Sequence, residues 1–385
     1  MCWTGLGISA WAQPSAVVRL DASATQRQSY PPALSVAAGL SAALTVQEVA
    51  LLPRERFVAF DPNVTHPISI DSPLWLRMQI DAGQAIKSNW QLEMPSVIVD
   101  RYEVYQRDAS GNWQMAQAGD RVPHRTWPLP SLRPRFPLHT TWPGVQDIYI
   151  RVVHQLPSTL EPVLVDAQTA TERDAGTMMS TGVLVGLMLA LLLICLQMVL
   201  SYRDWTYLWY AAYLLFIMLS SLAYVGVGQK FLWPTASKFS SDVMVYFVLA
   251  AFCFNLLFVN AMFGKWLGKT YRRVTYLLMA ACVVYMGVNY YMDRYAPTIV
   301  YFLAITTSSC AFILFTAVQA WRKGVPYSGY WLLVYIPYLI SIVLVLAQAV
   351  GRLNLPWLPV DTPMLTAMVE AVAMMFCLNA YSRER

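Results

Sequence analysis

Few side chains in this sequence are placed to do chemistry, and they fall into two groups. The first is a pattern that occurs twice. Leu74-Trp75-Leu76-Arg77-Met78 and Ile148-Tyr149-Ile150-Arg151-Val152 both read apolar, aromatic, apolar, arginine, apolar. Alternate side chains of an extended strand share a face, so Trp75 lies with Arg77 and Tyr149 with Arg151. Aromatic rings offer a face to sugars and apolar surfaces, and guanidinium groups match carboxylate or phosphate. The four residues are therefore a candidate binding surface for a small molecule or carbohydrate. The competing reading is structural: arginines stacked on rings and paired with acids can hold a sheet together with no ligand at all. The second group centres on one carboxylate, Glu370, inside the apolar run "MLTAMVEAVAMMFCLNAYSRER". A carboxylate at membrane depth must face partners. It is a candidate switch contact or proton-sensitive latch; the alternative is a static hydrogen bond to a neighbouring Tyr, Ser or Thr. Asn379, later in the same run, and Pro337, which should kink the apolar run before it, complete the candidate relay set.

Absences narrow the chemistry further. All four histidines, His66, His124, His139 and His154, precede residue 155. The apolar half therefore has no means of building a Ser–His dyad, a histidine-ligated haem or an H-E-x-x-H zinc site. No lysine follows Lys323, so the last apolar run cannot form a retinal Schiff base. The spacing of His124, His139 and His154 invites a metal reading, but nothing in the sequence places the three together and isolated surface histidines are common; the carboxylates show no paired acid–base spacing. No catalytic residue, cofactor or metal is expected, and the chain as given reads as non-enzymatic.

Two different polymers make up the chain. Residues 13–177 carry 14 Lys/Arg and 16 Asp/Glu; residues 178–385 carry 13 and 6. The first half has the composition of a soluble domain, and the second that of a membrane domain. The net charge of +5 therefore belongs to the membrane half, and no basic patch interleaved with aromatics points to nucleic acid. Cys195, Cys253, Cys282, Cys310 and Cys377 all lie in apolar runs and Cys2 lies near the start, so the soluble half has no disulfide to rest on. Residues 1–12 end in Ala10-Trp11-Ala12 and read as an abbreviated export signal.

Seven apolar segments follow, at 178–200, 205–226, 243–263, 274–292, 297–320, 327–350 and 362–381. The first is about 34 Å long as a helix, enough to cross a bilayer. With the soluble half outside, inner loops and tail hold nine basic residues and outer loops four, which favours an outer N-terminus and an inner C-terminus. Gly182-x-x-x-Gly186 lets another backbone approach closely; it serves either as ordinary packing inside the bundle or as a homodimer face. Residues 171–177, "TERDAGT", read as a polar linker, and 382–385 as a cytoplasmic tail.

The soluble half, 13–170, is read as strands. "LWLRMQID" alternates, with Leu74, Leu76, Met78 and Ile80 on one face. "SVIVDRYEVYQR" and "QDIYIRVVHQ" are further strands, "DASGN" is a turn, and only 33–50 carries a helix-period signal. Short strands with this punctuation suggest an antiparallel β-sandwich.

Taken together, Trp75-Leu76-Arg77, the run from Asp100 to Tyr105, Gly119-Asp120, Tyr149-x-Arg151 and Leu164 resemble the type-2 extracellular domain of bacterial seven-transmembrane receptors with diverse intracellular signalling modules. Gly182-x-x-x-Gly186, "YRDWTYLWYAAYLLFIMLSSLAYVGVGQKFLWP" and "VEAVAMMFCLNAYSRER" resemble that family's membrane domain, with Glu370 at its acidic position. The resemblance runs over roughly residues 17–385. It implies a periplasmic jelly-roll sandwich joined to a seven-helix bundle in the bacterial inner membrane. The sandwich would bind a small or carbohydrate ligand, and the helices would relay that event to a cytoplasmic cyclase, kinase or phosphatase. No such module follows Arg385, so output is expected through a longer form or a separate signalling partner. The rival reading is a membrane-anchored glycan-binding or envelope-assembly protein with no signal output.

Overall fold

The computed structural model describes residues 17–20, 26–28, 34–61, 64, 66–81, 89–139, 144–155, 160, 162–292, 297–325, 327–349 and 362–383. The expected export signal, 1–12, lies outside them. Two compact units form: Met1–Val122, Thr126–Leu129 and Arg133–Ala170 in one, and Pro123–Arg125, Pro130–Leu132 and Thr171–Arg385 in the other.

The first unit contains β1 (Val18–Arg19), β2 (Gln26–Gln28), β3 (Leu34–Ala37), helix α1 (Val46–Ala50), β4 (Val58–Ala59), β5 (Leu74–Asp81), β6 (Trp90–Glu93), β7 (Arg101–Arg107), β8 (Trp113–Ala118), β9 (Arg135–Pro137), β10 (Val145–Val153) and β11 (Val163–Asp166). Seven strands form one sheet, in the order β4-β3-β5-β10-β7-β8 with β1 added parallel to β5. The other sheet runs β2-β11-β6-β9, and the remaining pairs in both are antiparallel. The chain changes sheet between β1 and β2, β2 and β3, β5 and β6, β6 and β7, β8 and β9, β9 and β10, and β10 and β11, as in a jelly roll.

Period-two sequence explains why the sheets stack. Leu74, Leu76, Met78 and Ile80 of β5 join Ile148, Ile150 and Val152 of β10 and Tyr102 and Val104 of β7 in one buried cluster. Trp90 and Leu92 of β6, Phe136 of β9 and Leu164 of β11 enter the same cluster from the second sheet. Each buried aliphatic side chain here contributes about 1.5–3 kcal/mol, and with no cysteine among the described residues of the unit this core carries the fold. Gly119 closes the end of the β7–β8 hairpin. Its φ is +148°, and a Cβ there would lie 2.6 Å from the carbonyl oxygen of Asp100, so only glycine allows the backbones to meet.

Within 33–50, the stretch with helix period, Leu34–Ala37 form β3 and only Val46–Ala50 form a helical turn, α1. That turn forms because Thr45 and Glu48 make a reciprocal capping box, the Glu48 carboxylate accepting from the Thr45 amide at 2.8 Å.

The helices are α2 (Ala167–Tyr202), which from Thr171 onward lies in the second unit, and α3 (Trp205–Val225), α4 (Ser237–Leu267), α5 (Lys269–Met292), α6 (Ile299–Arg322), α7 (Ser328–Ala349) and α8 (Thr362–Arg383), all in the second unit. Among the described residues five of these, α2 to α6, are long and apolar enough to cross a membrane, and Leu365–Asn379 of α8 is a shorter apolar stretch. Residues 171–177, expected as a linker, are helical instead. The Asp166 carboxylate accepts from the amides of Gln168 and Thr169, so α2 is capped before the stretch begins.

Candidate functional site

The repeated strand motif comes together on the outer face of the seven-stranded sheet. β5 and β10 pair antiparallel, with Arg77 opposite Tyr149 and Trp75 opposite Arg151. Each ring thus lies across from the other strand's guanidinium. On the far side of β10, Tyr105 and Glu103 of β7 stand opposite Tyr149 and Arg151. The face therefore carries four aromatic or guanidinium groups from the motif and two more partners that the sequence pattern did not single out.

Geometry shows what holds these groups. Trp75 stacks on Tyr105 with ring centroids 5.7 Å apart, and the Arg151 guanidinium sits 5.8 Å from the Trp75 ring. Arg151 also donates to the Glu103 carboxylate at 3.1 Å and to the Ala42 carbonyl at 2.6 Å. Glu103 takes a further bond from the Tyr105 hydroxyl at 2.8 Å and pairs with Arg101 at 3.0 Å. Arg77 donates to Asp147 at 3.0 Å, and Gln79 joins the same oxygen at 2.9 Å. Its guanidinium lies about equally far from the rings of Phe57 and Tyr149. Burial pushes the Tyr105 phenol up to about 12, and its bond to Glu103 adds to the rise. Burial likewise raises Tyr149, against the nearby Arg77 charge.

This face is covered. Ala37, Leu40, Val46, Val49 and Phe57 pack with Trp75 and Tyr149 into a second small core. Trp75 is fully buried and Tyr149 nearly so. The accessible edge consists of Asp147, half-buried Trp113 and exposed Met115. Arg107 lies 4.6 Å over the Trp113 ring. The arginines are thus engaged in the stacked and paired manner of the structural reading.

The histidines go their own ways. His154 sits 3.3 Å from Asp100, and His124 contacts the Ser131 carbonyl at 2.9 Å. Among the described residues no group of three or more metal-binding side chains forms.

In the helical unit, Glu370 lies buried on α8. It accepts hydrogen bonds from two tyrosines of α3, Tyr210 at 3.3 Å and Tyr213 at 3.5 Å. The two tyrosines stand one turn apart on α3, so both reach one carboxylate. Pro337 lies inside α7, which continues through it, on an exposed position. Asn379 is exposed on α8. Asn255 of α4 donates to the Tyr335 hydroxyl of α7 at 3.0 Å. Among the described residues no atom of another helix comes within 4 Å of a Cβ placed at Gly182 or Gly186. A second acid escaped the sequence reading. Asp242, just before the expected start of its segment, is inside α4 and buried, with the Tyr246 hydroxyl 3.3 Å away.

A family model described as 7TM diverse intracellular signalling matches residues 177–380, more than half of the chain. The chain belongs to this 7TM diverse intracellular signalling family. A second model, 7TMR-DISM extracellular 2, matches residues 32–166, the β-sheet unit. No curated protein matches the chain. As a member of the 7TM diverse intracellular signalling family the protein is a membrane receptor: an extracellular domain precedes a helical membrane domain with a signalling role.

Proposed function

We propose that this receptor senses a small, carbohydrate-like molecule on the periplasmic side of a bacterial inner membrane. Its helices pass the event to a signalling partner in the cytoplasm. The chain itself is non-catalytic in this reading. The observation that carries the relay is the Glu370 clasp. A carboxylate held inside an apolar bundle by two tyrosines of one neighbouring helix ties α8 to α3, so a change in one helix reaches the other. Pro337 gives α7 a point of lower bending stiffness, and Asn379 presents a polar group on the face of α8 that leads to the C-terminus. On the ligand side, the open edge beside Asp147, Trp113 and Met115 supports a molecule with an apolar face and a hydroxyl or carboxylate acceptor; Arg77 and Arg151 are the partly exposed members of the motif, and the covered Trp75 and Tyr149 back them from behind. Such a ligand acts only through different affinities for two bundle arrangements.

The test uses full-length protein in lipid nanodiscs with three probe sets: neutral hexoses and disaccharides, hexuronates, and short dicarboxylates. Hydrogen exchange is followed on β5, β10 and α8. A binder that protects β5 and β10 and also alters exchange around Glu370 supports the reading. Binding that protects the sheet but leaves α8 untouched, for wild type and Glu370→Gln alike, points to the glycan-anchoring rival. No response to any probe removes the carbohydrate-like assignment.

A further inference from the structure

The inner ends of α3, α7 and α8 meet around one side chain, Tyr381. Its hydroxyl donates to Asp204 at 3.3 Å. Its ring packs edge-on to Tyr207 at 6.5 Å and to Tyr327 at 5.7 Å. The residue is buried although it lies in the last turn of α8. Asp204 serves two purposes. One oxygen caps α3, accepting from the Thr206 amide at 2.9 Å and its hydroxyl at 2.8 Å; the other takes Tyr381. The start of α3 and the end of α8 thus share a single carboxylate.

Backbone strain lies at the same place. Among the described residues only two non-glycine positions have positive φ: Arg203 at 51° and Tyr327 at 58°. One immediately precedes Asp204, and the other supplies a ring to Tyr381. Left-handed backbone is unfavourable for residues with a Cβ and persists only where surrounding contacts hold it. Two such residues on two different turns flank one docked side chain.

The α3–α8 seam connects this point to the Glu370 clasp. Glu370 and Tyr381 are about three helical turns apart and so share a face of α8. Buried Met374, Cys377 and Leu378 fill the stretch between them. A rigid slide of α8 along α3 would disturb both polar contacts, whereas loss of the Tyr381 contact alone frees only the last turn.

We propose that Tyr381, Asp204 and Tyr327 form a strained latch that docks the last turn of α8, with Arg203 and Tyr327 relaxing when it opens. The proposal deepens the relay reading by naming where α8 is released, and it concerns the protein without ligand. Its test therefore stands apart from the ligand screen.

Hydrogen exchange of the full-length protein in nanodiscs, with no ligand added, is compared for three variants. Tyr381→Phe removes the hydroxyl and keeps the ring. Asp204→Ser keeps an α3 cap but is too short to reach Tyr381. Each should speed exchange about three- to tenfold, the effect of one lost hydrogen bond. The increase should appear together in the last turn of α8, around Arg203, and around Tyr327, with the Glu370 region unchanged. Arg203→Gly relieves the strain of the docked state and should slow exchange in the same three segments. That opposite sign is what a merely static contact lacks. Unchanged exchange in Tyr381→Phe, a rise spread through the whole bundle, or faster exchange in Arg203→Gly overturns the latch.

Discussion

Replacing Glu103 by Ala would test how firmly the arginine face is committed to holding the sheet. The carboxylate is nearly buried and serves three groups: Arg151, Tyr105 and Arg101. Removing one member of a buried pair costs about 3–5 kcal/mol, because the other charge is left without its counter-ion. Here Arg151 keeps the Ala42 carbonyl at 2.6 Å and its side chain is 16% accessible, so about 2–4 kcal/mol is the better expectation. Local exchange of β7 and β10 amides in the full-length protein reads this directly. At about 1.4 kcal/mol per decade, exchange should speed by roughly 30- to 700-fold, up to the limit set by global opening. The double replacement Glu103→Leu with Arg151→Met removes the stranded Arg151 charge and should recover about 1–2 kcal/mol of the loss; the remainder belongs to the Tyr105 hydroxyl, the Arg101 guanidinium and the Ala42 carbonyl, which still lack their partners. A single variant whose β7 and β10 exchange stays within threefold of wild type would refute the reasoning. So would a double variant as unstable as the single, because Arg151 would then not be held by Glu103.

Three other expectations follow from local geometry. Gly119→Ala must place a Cβ against the Asp100 backbone at positive φ and should destabilise the β7–β8 hairpin by more than about 3 kcal/mol, read as lost protection of both strands. Burial against Phe60 lowers the His66 pKa, opposed by Asp61. A base with a depressed folded pKa has its full stabilising effect above its ordinary value of 6.5 and loses it as pH falls through the lowered one. Thermal midpoints should therefore drop below about pH 6.5, and His66→Phe should flatten that part of the profile. Glu370→Ala leaves Tyr210 and Tyr213 without their acceptor and should cost about 1–3 kcal/mol of bundle stability. Glu370→Gln keeps an acceptor oxygen and should cost less, as measured by thermal midpoints in detergent.

The sequence made the sandwich legible because β5, β7 and β10 alternate strictly, and alternation is the period of a half-buried strand. The apolar runs were equally plain, though their ends were not. Ser237 and Lys269 begin helices ahead of the hydrophobic stretch, since nothing in the polar residues there breaks a helix. The Thr-Glu-Arg-Asp run at 171–174 looked like a linker for the same reason in reverse: polarity was taken for irregularity, while Asp166 had already capped a helix. The motif residues shared a face as alternation required. What alternation could not give was the cover over Trp75 and Tyr149, because Val46, Val49 and Phe57 reach them from a different part of the chain. Glu370 stood out as an acid in an apolar run, but its tyrosine partners lie about 160 positions earlier and only packing reveals them. Tyr381 and Asp204 gave no signal at all, being ordinary polar residues near helix ends.

The crosswise register of β5 and β10 has a consequence for how the domain folds correctly. A slip of two residues keeps every side chain on its own face, so hydrophobic patterning alone does not forbid it. In one direction that slip sets Arg77 directly opposite Arg151, two like charges in contact across the ladder. In the other it moves Arg151 opposite Pro73, which has no N–H to give the ladder. Spelling the same five-letter word on both strands thus works as a key cut for one alignment, which rejects the nearest misfolded pairings before any molecule has to bind.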